Sequence, residues 1–414
     1  MKVLVFQPYG HREGHFGEYT SQVSQELARL GHAVTVVTTR LKASRYLSSG
    51  PRFEVIESLR TAGGLPAGRS GAVKSAFRGV GLILDNVRVL FRLLRVFRKS
   101  DFDVVHFFDF EPVSTVVLLT VYSWLFRRRL RRLFVVVHAP DPSFQGHANT
   151  LYHLYGKLSR PMLRRLLSTY ATAVTAHGSW PPGELEGLLG IRPSGRAVLT
   201  VPYGARLRNH MPGRNEARKA LGIHYAATLL LFFGMLRKDK GIEFLLQAAG
   251  HVRGECKILI AGLPFDWDTE DIHRMIRKYH CEDRVLTTLG YIPEEAIPDY
   301  FAAADGLVLP YMKHYMGAAG PLKTALGFGK PVIATKVREL SEYLGMSPIG
   351  IAVDPEDADS LKEGIERFVS LPQSRKEEMA ENSRRLAGTF TWTAVAERFS
   401  DIYQSAHAPG GLPR

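Results

Sequence analysis

The sequence predicts an α/β fold in which two domains are each built on a parallel β-sheet. Short apolar runs rich in Val, Ile and Leu recur along the 414 residues, and helical patterns separate them. Continuous β-branched runs of this kind are typical of parallel strands that are buried on both faces. The alternation runs through the chain twice with an interruption near Gly204, and 414 residues are more than one hydrophobic core normally organises.

The first half begins with a βαβ unit. Val3–Gln7 is predicted to be a strand, Gly17–Leu30 a helix that ends at Gly31, and Val34–Thr38 the next strand. Two strands joined by a helix are expected to pair in parallel. Further strands are expected at Val104–Phe108, Phe134–His138, Ala171–Ala176 and Val198–Pro202.

A polar stretch separates the two halves. Ala205–Arg214 carries charge, Asn, Pro and Gly without an apolar period, which is typical of a linker. We therefore expect two Rossmann-like domains facing a cleft: residues 1–204, a linker over 205–214, and residues 215–388. A last helix within 389–406 is expected to return to the first domain. Strands of the second domain are predicted at Leu229–Phe233, Lys257–Ala261, Arg284–Leu289, Gly306–Leu309 and Pro331–Ala334.

Composition limits the function classes. The net charge of +14 is concentrated in arginine clusters of the first half, but no zinc-finger, helix-turn-helix or RNA-binding signature accompanies them. Nucleic acid is therefore a poor candidate partner. Two cysteines provide neither a disulfide framework nor metal-ligand spacing, and Met1-Lys2 leads straight into a strand. We expect a cytoplasmic protein.

Two segments of the second half have the character of phosphate-binding elements. In Phe232–Gly241 (FFGMLRKDKG) a strand ends in Gly234 and is followed by Arg237 and Lys240. In Gly320–Thr335 (GPLKTALGFGKPVIAT) a glycine-bordered loop enters a helix, whose first amides and macrodipole favour an anion. Together they predict a diphosphate held between a cationic clamp and a helix N-terminus.

Several motifs resemble the retaining family-4 glycosyltransferases, the group 1 enzymes of the GT-B fold. The resemblance covers nearly the whole chain in the correct order. It rests on the Gly-rich loop, helix and GH-x-V-T-V of Gly14–Val36, on Asp103–His106, Val136–His138, Pro202–Gly204, Gly234–Gly241 and Gly329–Ala334, and on the closing Phe390, Trp392 and Tyr403.

This resemblance implies a nucleotide-diphosphate sugar as the donor substrate, with neither a metal ion nor a separate cofactor. Arg237 and Lys240 would bind the diphosphate, and His138 would lie beside the transferred sugar. Ligand contacts are also implied for Gly14 near the pyrophosphate, Gly234 at the strand end, Tyr291 and Ile292 at the nucleobase, and the backbone of Gly320, Leu322, Lys323 and Thr324 at sugar or phosphate.

The sequence departs from the family pattern at two places. Typical members carry two glutamates spaced E-x7-E, and the GKPVIA alignment puts Met316 and Thr324 there. The arginine often found directly after the strand glycine is replaced by Met235, and Arg237 follows two residues later. The sugar-hydroxyl contacts of the missing acids are therefore not predicted for this chain.

Each candidate has a structural alternative. Arg237 and Lys240 could be surface charge, and His138 could be a hydrogen-bonded polar residue. For His106 and His177 the structural interpretation is favoured. Gly14, Gly17 and Gly320 could relieve turn strain, and Thr324 could be a first-turn helix residue. Two D-x-D matches, Asp101 to Asp103 and Asp266 to Asp268, are interpreted as chance rather than as metal sites.

The favoured function is a metal-independent retaining hexosyltransferase that acts on a glycan or lipid-linked acceptor. A catalytically degenerate nucleotide-sugar-binding or scaffold protein is the alternative, and a GT-B nucleotide-sugar epimerase is a weaker one. A nicotinamide-dependent enzyme is disfavoured because Gly10, Gly14 and Gly17 lack the G-x-G-x-x-G spacing. Apolar and arginine-rich patterns at Val80–Leu94 and Pro112–Phe126 suggest peripheral attachment to an anionic membrane surface on the cytosolic face.

Overall fold

The computed structural model describes residues 1–7, 15–39, 52–59, 91, 93, 95–96, 101–108, 133–137, 161–178, 183–189, 198–208, 211–224 and 227–408. The chain divides into two units. The first comprises Met1–Pro202 and Trp392–Arg414, and the second comprises Tyr203–Thr391.

The first unit contains a parallel sheet, as the sequence predicts. Its strand order is β3-β2-β1-β4-β5-β6-β7, and every recorded pairing is parallel. The strands are β1 Lys2–Gln7, β2 Ala33–Thr39, β3 Phe53–Leu59, β4 Val104–Phe107, β5 Leu133–Val137, β6 Ala171–Ala176 and β7 Val198–Thr200. The helices of this unit include α1 His15–Arg29, α2 Glu184–Leu189 and the C-terminal helix α11 Trp392–His407.

The C-terminal helix α11 packs against α1 within the first unit. Thr393 Oγ1 donates a hydrogen bond to Glu26 Oε2 at 3.0 Å, and His32 Nε2 lies 2.9 Å from Ser400 Oγ. Buried aromatic residues of α11 complete this contact, since the ring of Tyr19 lies 5.6 Å from that of Trp392. The chain therefore returns to its first unit at its end.

The second unit is a doubly wound parallel sheet with the order β10-β9-β8-β11-β12-β13. Its strands are β8 Thr228–Phe233, β9 Cys256–Gly262, β10 Val285–Leu289, β11 Gly306–Leu309, β12 Val332–Thr335 and β13 Gly350–Val353. The direction of winding reverses between β8 and β11. Ligands of open α/β sheets bind at the carboxyl ends of the strands beside such a switch point.

The helices of the second unit cover both faces of this sheet. Successive residues of β8 supply opposite cores, because Leu229 and Leu231 belong to one buried cluster and Leu230 and Phe232 to the other. The helices are α3 Arg214–Ala220, α4 Ile242–Ala249, α5 Thr269–Lys278, α6 Ile297–Ala303, α7 Gly320–Gly327, α8 Arg338–Met346, α9 Ala358–Ser370 and α10 Gln373–Gly388.

The segment predicted as a linker is fastened to the second unit. Ala205 N donates to Phe390 O at 2.7 Å, and Arg208 N donates to Gly327 O at 3.1 Å. A Cβ at Gly327 would stand 2.1 Å from Arg206 O, so this glycine allows the crossing of helix and linker.

Candidate functional site

The residues predicted to hold a diphosphate meet at the carboxyl end of β8. Gly234 follows the strand with a φ of +109°, and its N–H donates to Ala261 O at 2.9 Å. A Cβ at Gly234 would stand 3.2 Å from Lys240 Nζ and 3.5 Å from Pro321 Cγ. The strand end, the lysine and the start of α7 therefore converge around one glycine at the topological switch point.

A second glycine, which sequence reasoning missed, makes this strand edge possible. Gly262 ends the neighbouring strand β9 with a φ of +153°, and a Cβ there would stand 1.8 Å from Gly234 O. No side chain can be accommodated at that distance. The strand ending in AGLP, with glycine directly after a buried run, was the available signal.

Lys240 is the buried cation of the site. It ends a 3₁₀ turn over Lys238–Lys240 and is 6% exposed. Among the described residues its ammonium group forms no hydrogen bond or ion pair, and it lies 5.8 Å from the ring centroid of Tyr311. Burial lowers the pKa of Lys240 to about 8, and Arg237 adds to that shift while Asp239 opposes it.

The turn that carries Lys240 is closed by Gly241. Its φ is +67°, and a Cβ there would stand 1.9 Å from Pro310 O. Because both the backbone conformation and the close approach require glycine, the Lys-Gly pair fixes the direction in which the lysine leaves the turn.

Arg237 lies at the start of the same turn with its side chain partly exposed. One terminal nitrogen, Nη2, donates to Asp239 Oδ2. The planar guanidinium has five N–H donors, so this contact leaves donors that can meet an anion in a forked geometry.

The N-terminus of α7 is less rich in open amides than the sequence predicts. Ala319 N donates to Glu339 Oε2 at 2.8 Å, Gly320 N donates to Ala318 O at 2.9 Å, and Pro321 has no N–H. Within the part of the chain that is described, Leu322 N is the first-turn amide that meets no protein acceptor. The expected row of bare donors is thus reduced to one.

Lys323 lies beneath the site. Its Nζ donates to Glu339 Oε1 at 2.8 Å and stands 3.2 Å from the ring centroid of Tyr343. Burial lowers the pKa of Lys323, and Glu339 counteracts that effect. Its backbone N–H is also used, since it donates to Ala319 O at 3.2 Å. The ligand contact expected of the Lys323 backbone therefore meets an N–H that already donates within the protein, and the side chain supports the helix.

Thr324 and Leu322 are likewise turned toward the protein. Thr324 Oγ1 donates to Gly320 O at 3.0 Å, one helical turn earlier, and the Leu322 side chain is buried in the core. Any ligand contact of Leu322 must come from its backbone. At the other position of the missing acid pair, Met316 is half-buried.

Tyr291 and Ile292 follow β10, two strands from β8. Tyr291 is exposed, whereas Ile292 packs against the core. Two further exposed apolar side chains, Leu263 and Phe265, follow β9 at the same edge of the sheet and were missed from sequence. Gly290 N donates to Gly262 O at 2.9 Å, which keeps the two strand ends together. This edge offers apolar surface for a flat ring.

Two of the predicted site residues, Gly14 and His138, lie outside the described residues. The other strand-end histidines have structural partners, as favoured from sequence. His106 Nδ1 lies 2.5 Å from Tyr403 Oη, and His177 Nδ1 donates to Val201 O at 2.9 Å. Burial lowers the pKa of His106 to about 3, so the ring is neutral.

Carboxylates of both D-x-D matches bind backbone amides. Lys2 N donates to Asp103 Oδ2 at 2.8 Å, Lys238 N donates to Asp266 Oδ2 at 2.8 Å, and Asp268 caps α5 by accepting from Asp271 N at 2.7 Å. Across the described ranges, no group of three or more His, Cys, Asp or Glu side chains is arranged to hold a metal ion.

Comparisons with known proteins identify the family. The profile described as "Glycosyl transferases group 1" matches residues 213–386, and that described as "Glycosyl transferase 4-like domain" matches residues 16–204. Together the two matches span most of the chain and follow the two units.

Curated relatives include D-inositol 3-phosphate glycosyltransferases. The Geodermatophilus obscurus protein is 27% identical over 241 residues, which are 53% of this chain and 52% of that protein. The second such protein of Catenulispora acidiphila is 27% identical over 244 residues, which are 56% of each. The chain thus spans about half the length of the curated relatives it matches.

Solved structures resemble the whole chain. Sucrose-phosphate synthase from Thermosynechococcus elongatus has a TM-score of 0.72 at 19% identity and covers 98% of this chain and 99% of its own. Anabaena HepE, in complex with UDP and glucose, has a TM-score of 0.69 at 16% identity, with coverage of 98% and 100%. WaaG, involved in lipopolysaccharide biosynthesis, has a TM-score of 0.67 at 17% identity, with coverage of 97% and 99%. The predicted GT-B fold is confirmed.

Proposed function

Because the chain belongs to the group 1 glycosyltransferases, we propose that it transfers a hexose from a nucleotide-diphosphate sugar to a glycan or lipid-linked acceptor, with retention of configuration. The observation that carries the proposal is the convergence of Gly234, Lys240 Nζ and the start of α7, with Arg237 on the same turn. A buried ammonium group without an ion-pair partner among the described residues favours an anionic ligand, because an uncompensated buried charge is costly.

In this proposal Arg237 and Lys240 stabilise the diphosphate as it leaves. Negative charge grows on the leaving oxygen while the sugar carbon acquires oxocarbenium character. Fixed cations aimed at that oxygen act most strongly in the transition state, and losing one such donor costs about 3 kcal/mol, or about a hundredfold in rate. The amide of Leu322 adds one further donor. These groups can supply the charge stabilisation without a metal ion.

The remaining assignments complete the substrate site. Tyr291 and Ile292 are proposed to line the nucleobase, and the exposed Leu263 and Phe265 extend that apolar surface. His138 is proposed beside the transferred sugar and Gly14 near the pyrophosphate. The UDP and UDP-glucose complexes of HepE make uridine donors the first choice for assay.

The acceptor is proposed to be presented at a membrane surface. Among the described residues no helix is long and apolar enough to cross a bilayer. Within the Val80–Leu94 segment Phe91 is 67% exposed, while Leu93 is buried in the core of the first unit, so Phe91 offers an apolar side chain to a membrane surface. Recovery with anionic but not neutral vesicles on flotation would support peripheral attachment. Equal recovery with both, or none with either, would refute it.

The absence of the acid pair supports one alternative function. Met316 in the loop before α7 and Thr324 on α7 provide no carboxylate for sugar hydroxyls, and the Thr324 hydroxyl is bonded to Gly320 O. A protein that binds a nucleotide sugar without transferring it would retain the diphosphate site. Slow hydrolysis of the donor by purified protein without acceptor would exclude this alternative.

The decisive experiment combines ligand binding with turnover. Thermal shift of the full chain is measured with UDP, GDP, ADP and their sugars, because a ligand at 100 times its dissociation constant stabilises by about 2.7 kcal/mol. Transfer is then assayed with glycan, lipid-linked and D-inositol 3-phosphate acceptors, the last because curated relatives are named for it.

Two variants and one control connect the result to the site. Arg237→Ala and Lys240→Ala should abolish transfer while remaining folded. The control is Lys238→Ala, which removes the same charge from the same turn. The Lys238 ammonium group lies 4.8 Å from the centroid of the Trp267 ring rather than beside Gly234, so transfer should persist in this variant. Turnover of Lys240→Ala and Arg237→Ala at the wild-type rate would refute the assignment.

A further inference from the structure

A carboxylate stands between the two cations of the proposed site. Asp239 lies in the 3₁₀ turn between Arg237 and Lys240, and its side chain is 14% exposed. Oδ2 accepts from Arg237 Nη2. Oδ1 is buried and has no hydrogen-bond partner among the described residues.

The backbone of Asp239 is fixed from another direction. Its carbonyl accepts a hydrogen bond from Met312 N at 2.9 Å, which joins the turn to the loop that follows β11. The scaffold therefore fixes the backbone from which the carboxylate extends, and the side chain itself is held by Arg237.

This arrangement does not suit a purely structural role. A buried carboxylate oxygen without a partner is unfavourable and calls for an explanation. A negative charge in this place also repels the diphosphate that the site is proposed to bind. What the carboxylate provides is compensation between Arg237 and Lys240, two like charges that disfavour each other when no anion is bound.

We propose that Asp239 is a positioning residue that holds the Arg237 guanidinium in the empty site and yields it to the donor's diphosphate, so that carboxylate and diphosphate compete for one guanidinium. The inference rests on the proposed function. The family resemblance assigns no role to this carboxylate. It orients Arg237 before the donor binds, and it weakens donor binding because it competes for the same guanidinium.

The proposal predicts the sign of a charge-neutral substitution. Asp239→Asn removes both the competitor for Arg237 and the repulsion of the diphosphate. Binding of UDP should therefore become about three- to tenfold tighter near pH 7. This change in affinity corresponds to roughly 0.7 to 1.4 kcal/mol, which is the size expected for one partly exposed ion pair. A residue that merely supports the fold would weaken binding when replaced.

A pH profile separates these roles further. Asp239 raises the pKa of Lys240, against the larger lowering by burial and by Arg237. Among the described residues Tyr311 of the loop after β11 also faces Lys240, with its ring centroid 5.8 Å from Nζ, and its hydroxyl is neutral because burial raises its pKa. Without Asp239, Lys240 loses its proton at lower pH, so UDP affinity should begin to fall at a lower pH than in the wild type.

The test is calorimetric titration of UDP, and of GDP and ADP in parallel, into the full chain between about pH 6 and pH 10, a range that includes the lysine transition near pH 8 and its shift to lower pH. Asp239→Glu keeps the charge and should keep the wild-type pH profile. The matched control is Asp266→Asn, because Asp266 accepts from Lys238 N at 2.8 Å and holds the same turn without contacting Arg237. Its UDP affinity and pH profile should match the wild type. Asp239→Ser serves as a second neutral variant if Asp239→Asn does not fold.

The outcomes are distinct. Tighter UDP binding with an earlier fall-off in Asp239→Asn, but in neither Asp266→Asn nor Asp239→Glu, supports the proposal. Equal or weaker binding by the folded neutral variants, or an unchanged pH profile, overturns it while leaving the proposed function intact. A wild-type protein that binds none of UDP, GDP and ADP overturns the proposed function and this inference together.

Discussion

The buried ion pair of Lys323 and Glu339 offers a test of how the α7 helix is held. The side chains are 1% and 6% exposed, and Nζ lies 2.8 Å from Oε1. At that distance, with an effective dielectric constant of about 20, the attraction is about 6 kcal/mol, and the cost of desolvating both charges offsets most of it. Removing one partner leaves the other charge buried and unpaired. Lys323→Met should therefore lower the free energy of unfolding by about 3–5 kcal/mol.

The double variant sharpens this prediction. Glu339→Gln alone also breaks the ion pair, although its amide oxygen can still accept from Ala319 N. Combined with Lys323→Met it leaves no unpaired charge, so the double variant should be less destabilised than the two single losses added together. The coupling energy should be at least about 1 kcal/mol, as for neighbouring residues that share one network.

The assay is the melting temperature of the unit that contains the pair, Tyr203–Thr391. For a unit of this size, 1 kcal/mol corresponds to about 2–4 °C, so each single variant should melt roughly 6–20 °C lower. The control is Lys336→Met, because Lys336 pairs with Asp354 at the same 2.8 Å while the two side chains are 51% and 58% exposed. That change should cost no more than about 1 kcal/mol. Equal losses for Lys323→Met and Lys336→Met, or additive effects in the double variant, would refute the reasoning.

Three further predictions follow from the geometry. Gly241→Ala should lower the free energy of unfolding by about 2–4 kcal/mol, because strain at a φ of +67° adds to a Cβ that would stand 1.9 Å from Pro310 O. The control is Gly222→Ala, which has the same φ but open space, and it should lower the free energy of unfolding by about 1 kcal/mol in chemical denaturation. Because the pKa of His106 falls to about 3 on burial, the folded state binds fewer protons than the unfolded state at acidic pH. The free energy of unfolding should therefore decrease below about pH 6.5, by up to about 1.4 kcal/mol per pH unit. In His106→Gln this dependence on pH should be weaker. UDP affinity should decrease as pH rises through about 8, where Lys240 loses its proton, and a fall-off that persists in Lys240→Arg would contradict this.

The central strands of both sheets could be predicted, whereas the strands missed from sequence lie at sheet edges. β3 Phe53–Leu59 ends the first sheet and β13 Gly350–Val353 ends the second. An edge strand has one neighbour and tolerates polar residues, and β3 places an exposed Glu54 within its run. The charged residues of β3 (FEVIESL) interrupt the apolar run that marks a central parallel strand, so periodicity alone could not find it. β13 (GIAV) is as short and apolar as the predicted β11 (GLVL) and β12 (VIAT), and it was missed although its signal is of the same kind.

The local geometry of the site was predictable where it depends on the backbone. Gly234 and Lys240 were identified because a strand end and a Lys-Gly turn are local features. The free backbone N–H groups at the start of α7 could not be predicted, because Glu339 of α8 accepts a hydrogen bond from Ala319 N. Glu339 lies 16 residues from Lys323 along the chain, so this contact is not a local feature. No local pattern tells whether a helix N-terminus is already occupied by a distant carboxylate.

Lys323 and Lys240 illustrate what the structure adds to such a pattern. In sequence both are lysines in glycine-bordered loops after a strand, and each is a plausible phosphate ligand. In the fold both lysines are buried, and Lys323 pairs with Glu339 at 2.8 Å. Lys240 makes no ion pair with the described residues. The nearby Asp239 raises its pKa but is hydrogen-bonded to Arg237 instead. A buried cation with its own carboxylate is complete, and a buried cation without one is stabilised when an anion arrives. It is therefore the missing partner of Lys240, rather than its motif, that makes this lysine the stronger argument for a diphosphate.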